Sequence, residues 1–149
     1  MSHPVVNRIG TEEGDAAADK EMHPPLVRHA RFGFMLLARI FAVLILIQVF
    51  LAGLATFWNA EQWASHAGFS RLLIVPPLLM LIASFIARLP RSFRLSSAGL
   101  IGMFILMAVT AKLSSAAGFV SALHPVLALM MFMGAVSNVR RIDALLKAK

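Results

Sequence analysis

The sequence predicts an all-α integral membrane protein, an up-down-up-down four-helix bundle with a disordered N-terminal tail. Three observations predict it. Hydrophobic residues make up 59% of the 149-residue chain and charged residues 14%, against roughly 45–50% and 25% in a soluble domain. Four apolar segments are each long enough for a hydrocarbon core of about 30 Å, which takes around 20 residues of helix. The basic residues flank those segments, where positive charge sets membrane orientation.

Taken in order, residues 1–30 hold Glu12, Glu13, Asp15, Asp19 and Glu21 with Pro4, Pro24 and Pro25. This stretch has little to bury and reads as a disordered cytoplasmic tail, with a transient helix between Gly14 and Met22. No cleavable signal peptide precedes the first apolar run, which begins near Phe32. A transmembrane domain follows over 31–141, with spans at about 35–58, 60–87, 97–113 and 121–139. Residues 142–149 read as a basic cytoplasmic tail.

The first span carries Ala38, Ala42, Ala52, Ala55 and Thr56, with Gln48 on the same stripe, as an inward face of small residues requires. Asn59 followed by Gln62 resembles a capping box at the start of the second span. Pro76 and Pro77 lie midway along that span, remove two backbone donors and should kink it. Gly99 and Gly102 in the third span suit close packing near its inner end. Pro125 falls in the first turns of the fourth span, where early backbone donors lack partners anyway. Met103, Met107, Met130, Met131 and Met133 supply pliable filling.

Orientation follows from the cations. Arg28, Arg31 and Arg39 precede or open the first span, Arg88, Arg91 and Arg94 fill the loop after the second, and Arg140, Arg141, Lys147 and Lys149 follow the fourth. The other two loops carry little charge, Glu61 and then Lys112. Both termini and the middle loop should therefore be cytoplasmic, with Trp58 and Trp63 in the outer aromatic belt. The net charge of +7 is accounted for by this placement and forms no nucleic-acid-reading face. The absence of cysteine excludes disulfides, thiolate metal sites and thioether-attached haem. No nucleophile–base pair or carboxylate dyad occurs in the spans, so no catalytic residue is assigned and hydrolytic chemistry is not expected.

The candidate site is a histidine pair. His66 and His124 each fall just inside the outer end of a span, and those two spans run in the same direction. Ionisable groups inside a membrane are costly and mark functional positions. Two imidazoles at matched depth on diagonal helices could ligate one haem iron from both sides. Gln62 would orient His66, and Ser121 or a backbone carbonyl would orient His124. Lys112 would meet the propionates, and Gln48 would bond a cofactor edge or another helix. Arg71 would snorkel toward the interface. His3, His23 and His29 have no assigned role. Two histidines alone make a poor zinc site.

The leading expectation is a membrane protein holding a single b-type haem near the outer face, with His66 and His124 as axial ligands. It would pass electrons from quinol to an outer acceptor, or sense haem, as a homodimer or as a subunit of a redox complex. The rival is a cofactor-free structural or accessory subunit of a larger membrane complex, in which the histidines are ordinary polar contacts.

The segments Gln48 to Asn59, "QVFLAGLATFWN", "WASHAGFSRLL" and "ALHPVLALMMF" resemble a family of small bacterial four-helix membrane proteins of uncharacterised function, over about residues 32–140. That resemblance implies a bacterial cytoplasmic (inner) membrane. The layout also resembles one half of haem A synthase, whose ligand positions would fall on His66 and His124. The chain has one such half, so a two-site arrangement would need dimerisation. The chain lacks the acidic residue that this family places beside its histidines, since Glu61 is the single acidic residue near the outer face. Four-helix di-haem b-type cytochromes are similar in size, but they use two histidine pairs where this chain offers one.

Overall fold

The computed structural model describes residues 25–113 and 118–148. The expected disordered tail over 1–24 lies outside the described residues, as does Lys149. Every element among the described residues is helical. Helix α1 is Pro25–Phe57, α2 is Gln62–Ser70, and a 3-10 turn over Arg71–Ile74 joins α2 to α3 at Val75–Ile86. Helix α4 is Arg91–Lys112, α5 is the single turn Gly118–Ser121, and α6 is Leu123–Lys147. Four stretches are long and apolar enough to cross a membrane: Pro25–Phe57, Gln62–Ile86, Arg91–Lys112 and Gly118–Lys147.

Three boundaries differ from the sequence expectation, all at the basic end. Residues 25–30, expected in the tail, open α1. Pro25 suits a first helical position, Val27 is buried, and His29 Nδ1 lies 2.7 Å from the carbonyl of Pro25. The third span starts at Arg91, six residues earlier than expected. Pro90, with extended backbone, sets its start, and Phe93 N–H donates to the Pro90 carbonyl at 2.9 Å. The expected tail at 142–147 continues α6. Ile142 is fully buried, and Asp143 takes an ion pair from Arg39 at 3.0 Å. The cause is common to all three. An apolar count sees only the hydrocarbon, whereas α1, at 33 residues, is about 50 Å long. The fourth span also starts differently, with α5 as a separate turn ahead of Leu123.

The packing follows a seam. Buried positions on α1 are Val27, Arg31, Phe34, Ala38, Phe41, Ile45, Gln48 and Ala55. Steps of four and three alternate, the repeat that keeps one stripe of a helix facing its neighbours. The second span answers with Leu73, Pro77, Met80, Ser84 and Ala87 at the same rhythm. Helix α1 packs against α3 and α6, and α4 packs against the same two. Pairings fix the levels. Arg31 Nε donates to the Ala87 carbonyl at 3.2 Å, while Gln48 meets His66. Phe34 and Phe93 stack edge to face at 5.4 Å, and Arg141 meets Ser92. Of the expected inward stripe, Ala38, Gln48 and Ala55 are buried, whereas Thr56 is exposed and donates to its own helix at the Ala52 carbonyl.

Two glycine and proline expectations resolve differently. A Cβ at Gly99 or Gly102 would meet nothing within 4 Å, so these are not the close contact. Gly134 of α6 is, with Leu100 Cδ2 at 3.0 Å from the position its Cβ would take. Pro76 and Pro77 do interrupt the second span. The backbone tightens into the 3-10 turn just before them, so the prolines occupy early positions of α3, where a missing donor is tolerated. The capping box at Asn59 is not formed. Asn59 Oδ1 accepts from the Glu61 backbone N–H at 2.9 Å, and no side chain caps α2.

Helix α3 ends in a Schellman arrangement. Leu89 N–H donates to the Ser84 carbonyl at 3.0 Å and Arg88 N–H to the Phe85 carbonyl at 3.1 Å, with Leu89 buried beneath and Pro90 following. The residue in the left-handed position is Arg88, at φ 49°, where glycine is the unstrained choice. Arg88→Gly should therefore raise stability by about 1 kcal/mol. A shift of the unfolding midpoint in a denaturing-detergent titration checks this, and an unchanged or lowered midpoint would contradict the strain.

Candidate functional site

The end of the molecule away from the arginine-rich loop brings together three of the expected residues. Gln48 occupies the α1 seam and is 8% exposed. His66 projects from α2 and His124 from the start of α6. The imidazole rings of His66 and His124 are 6.2 Å apart, centroid to centroid, and inclined at 52°. Two imidazoles bound to one metal ion from opposite sides, with metal–nitrogen bonds of about 2.0–2.1 Å, hold their centroids roughly 6 Å apart.

Gln48 and His66 bond reciprocally. Gln48 Nε2 donates to the His66 backbone carbonyl at 2.9 Å, and His66 Nδ1 lies 3.2 Å from the Gln48 backbone carbonyl. A carbonyl oxygen only accepts, so this contact places the His66 proton on Nδ1 and leaves the Nε2 lone pair. That is the arrangement of metal-ligating histidines, whose second nitrogen is held by a carbonyl or carboxylate. The orienting partner is thus the α1 backbone and not Gln62, whose side chain joins neither the histidines nor the clefts beside them. Gln48 Oε1 is buried and has no hydrogen-bond partner among the described residues.

Two clefts flank the histidine pair. One, of about 120 Å³, lies between α1 and α6, with Ala52, Ala128 and Met131 in its wall. The other, of about 160 Å³, lies between the second and third spans, with Ala67, Ala108 and Met107. Both are lined by Gln48, His66, Leu73, Met107 and His124. Each is smaller than the roughly 300–1,000 Å³ of a typical ligand site. Their shared wall includes the flexible Met107, and each has small alanines of its own.

Other expected members lie elsewhere. Lys112 lines a separate groove of about 430 Å³ on the outer surface between the second and third spans, with Leu78 and Ile105. Ser121 Oγ donates to the Thr110 carbonyl at 3.2 Å, tying α5 to α4. Arg71 is exposed in the 3-10 turn. Among the described residues, no group of three or more His, Cys, Asp or Glu side chains is arranged for a metal ion. His3 and His23 lie outside the described residues.

Trp63, expected in the aromatic belt, also meets the His66 ring edge to face at 5.4 Å. The spacing of three between the two residues on α2 was the signal available. Met107 and Met131 were read as filling. They line the clefts because each continues the buried rhythm of its own helix, after Leu100 and Leu127 respectively.

Residues 48–117 match the model of a family of unknown function (DUF6220). The matched stretch contains Gln48, His66 and Lys112 and ends before His124. The match makes no link to haem A synthase. No curated protein and no solved structure matches the chain.

Replacing Gln48 with leucine removes a donor from the α1–α2 contact and leaves the His66 carbonyl without it. Interhelical hydrogen bonds in membranes contribute about 0.6–2 kcal/mol. Gln48→Leu should lower stability by that amount in a detergent unfolding titration, and stability equal to the parent would show that the contact contributes nothing.

Proposed function

We propose that this protein is a b-type haem-binding protein of a bacterial cytoplasmic membrane. In this reading it is an up-down-up-down four-helix bundle with both termini and the loop at Arg88 to Arg94 on the cytoplasmic side. The single observation that carries the proposal is the meeting of His66 and His124 from two different spans at 6.2 Å between ring centroids. The pairings Arg31 with Ala87 and Gln48 with His66 support alternating directions for the first two spans. Ser92 with Arg141 and Thr110 with Ser121 do the same for the last two.

The donor set fits a low-spin haem iron. His66 would ligate through Nε2, held in that tautomer by the Gln48 carbonyl, and His124 would supply the opposing imidazole. Gln48 Oε1, buried without a partner among the described residues, would find a donor on the cofactor only in a protonated propionic acid group. Met107 and Met131 would yield to admit a planar group between the clefts, since thioether side chains repack readily. A haem held by these residues would supply one-electron transfer. The protein would then relay electrons, with a quinol as donor, alone, as a homodimer or within a redox complex.

One observation favours a second reading. The Gln48–His66 pair satisfies both of its contacts within the protein, and neither cleft exceeds about 160 Å³. A cofactor-free accessory subunit of a larger membrane complex would need no more.

A reduced-minus-oxidised spectrum of protein purified from haem-supplied cells separates the two. The haem reading expects a sharp α band and a Soret band, lost in His66→Ala and in His124→Ala and kept in His29→Ala. A flat spectrum of the parent, or full haem retention in both span variants, would overturn it. Orientation has its own test. The chain lacks cysteine, so single cysteines can be introduced one at a time. In intact cells, an impermeant maleimide should label position 61 and spare position 88, and the reverse pattern would refute the orientation.

A further inference from the structure

The inner end of α6 carries a feature that the histidine pair does not explain. Phe132, Val136 and Arg140 form one stripe at intervals of four, and Met133, Ser137 and Arg141 form the next. Together they line an open groove of about 560 Å³ along one face of this helix. Its character changes along its length. The part nearer the middle of the span, Phe132, Met133 and Val136, is apolar. The last turn presents two guanidinium groups about 10 Å from Met133, at 1.5 Å per residue.

One of those guanidinium groups is held in place. Arg141 donates to Ser92 Oγ, and its guanidinium lies over the ring of Phe93 at 4.3 Å. Stacking and one hydrogen bond orient the planar fork and leave other N–H donors of the group for an anion. The neighbourhood is cationic. Among the described residues the acidic side chains are Glu61, at the far end of the molecule, and Asp143, which is already paired with Arg39 at 3.0 Å.

We infer that this groove is a binding site for an anionic phospholipid of the cytoplasmic leaflet. Its phosphate would be taken by Arg140 and Arg141, and one acyl chain would lie along Phe132, Met133 and Val136. Charge complementarity selects the headgroup. A zwitterionic lipid presents its own cation to the same arginines, whereas a phosphatidylglycerol-type headgroup brings net negative charge. The bidentate match of guanidinium to phosphate supplies direction. The apolar floor selects a lipid over a free phosphate, which has nothing to place there. The inference rests on the bilayer orientation proposed above and is independent of haem.

Native mass spectrometry of the full-length protein in detergent tests it, with dioleoyl phosphatidylglycerol, dioleoyl phosphatidylcholine or glycerol 3-phosphate added separately. The parent should retain phosphatidylglycerol at least about tenfold better than phosphatidylcholine, and should retain no glycerol 3-phosphate. The double variant Arg140→Gln/Arg141→Gln should lose that preference, while Arg28→Gln, at the same end of the molecule but on α1, should keep it. If the double variant aggregates, Arg140→Gln alone should reduce the preference several-fold, since this exposed residue makes no contact that the fold depends on. Equal retention of the two lipids, loss of preference in Arg28→Gln, or occupancy by glycerol 3-phosphate would each overturn the inference. The measurement is made outside a bilayer, so its failure is distinct from a failure of the orientation, which the cysteine labelling reports.

Discussion

On the buried face of α1 a side chain recurs at intervals of four and three from Val27 to Gln48, with Ala55 two turns further on, and both the second and fourth spans close against it. A lipid tail is as apolar as leucine, so burying apolar surface gives neighbouring helices little reason to associate in a bilayer. Close fit and interhelical hydrogen bonds must do so. The two polar members of the seam supply the latter. Arg31 holds the Ala87 carbonyl at the end of the second span, and Gln48 holds the backbone of His66 near its start. These anchors lie about 25 Å apart along the helix. They fix the height of the second span against the first, and with it the depth at which His66 sits.

The two ends of the molecule are built from different chemistry. The basic end uses guanidinium groups as structure. Arg31 donates to the Ala87 carbonyl at a helix terminus, Arg39 pairs with Asp143, and Arg94 and Arg141 stack on Phe85 and Phe93. Each of these residues also carries the charge that orients a chain in a membrane. The other end has little charge and concentrates its polarity in a glutamine, two imidazoles and the backbone they hold. The interior keeps polar atoms without a hydrogen-bond partner among the described residues, at Ser97 and Asn138.

The four apolar stretches and the break at Pro76 and Pro77 were legible in the sequence because hydrophobic length and a missing N–H are local properties. The histidine pair was legible because depth along a helix can be counted from its end. The partner of His66 was not. It is a backbone carbonyl on another helix, and every residue carries one, so no letter in the sequence marks it. Gln62 looked better placed because it lies one turn from His66, but the α1 seam reached the imidazole first. The same limit explains the glycines. Gly99 and Gly102 looked like a packing face, yet closeness depends on which residue stands opposite, and it is Leu100 that meets Gly134. Lys112 shared the outer level with the histidines but not their side of the helix.

The 3-10 turn at Arg71–Ile74 makes the second span two rods joined end to end. The outer rod, α2, has no buried residue, whereas the inner rod, α3, buries Pro76, Pro77, Met80 and Ser84. The prolines deprive the Leu72 and Leu73 carbonyls of their usual i+4 donors, so bending is easiest at the joint. The two rods are therefore anchored separately: one by its own buried seam against the first helix, the other by the reciprocal Gln48–His66 contact. Loss of that one contact would free the rod that carries His66 while the seam of the other rod stays closed.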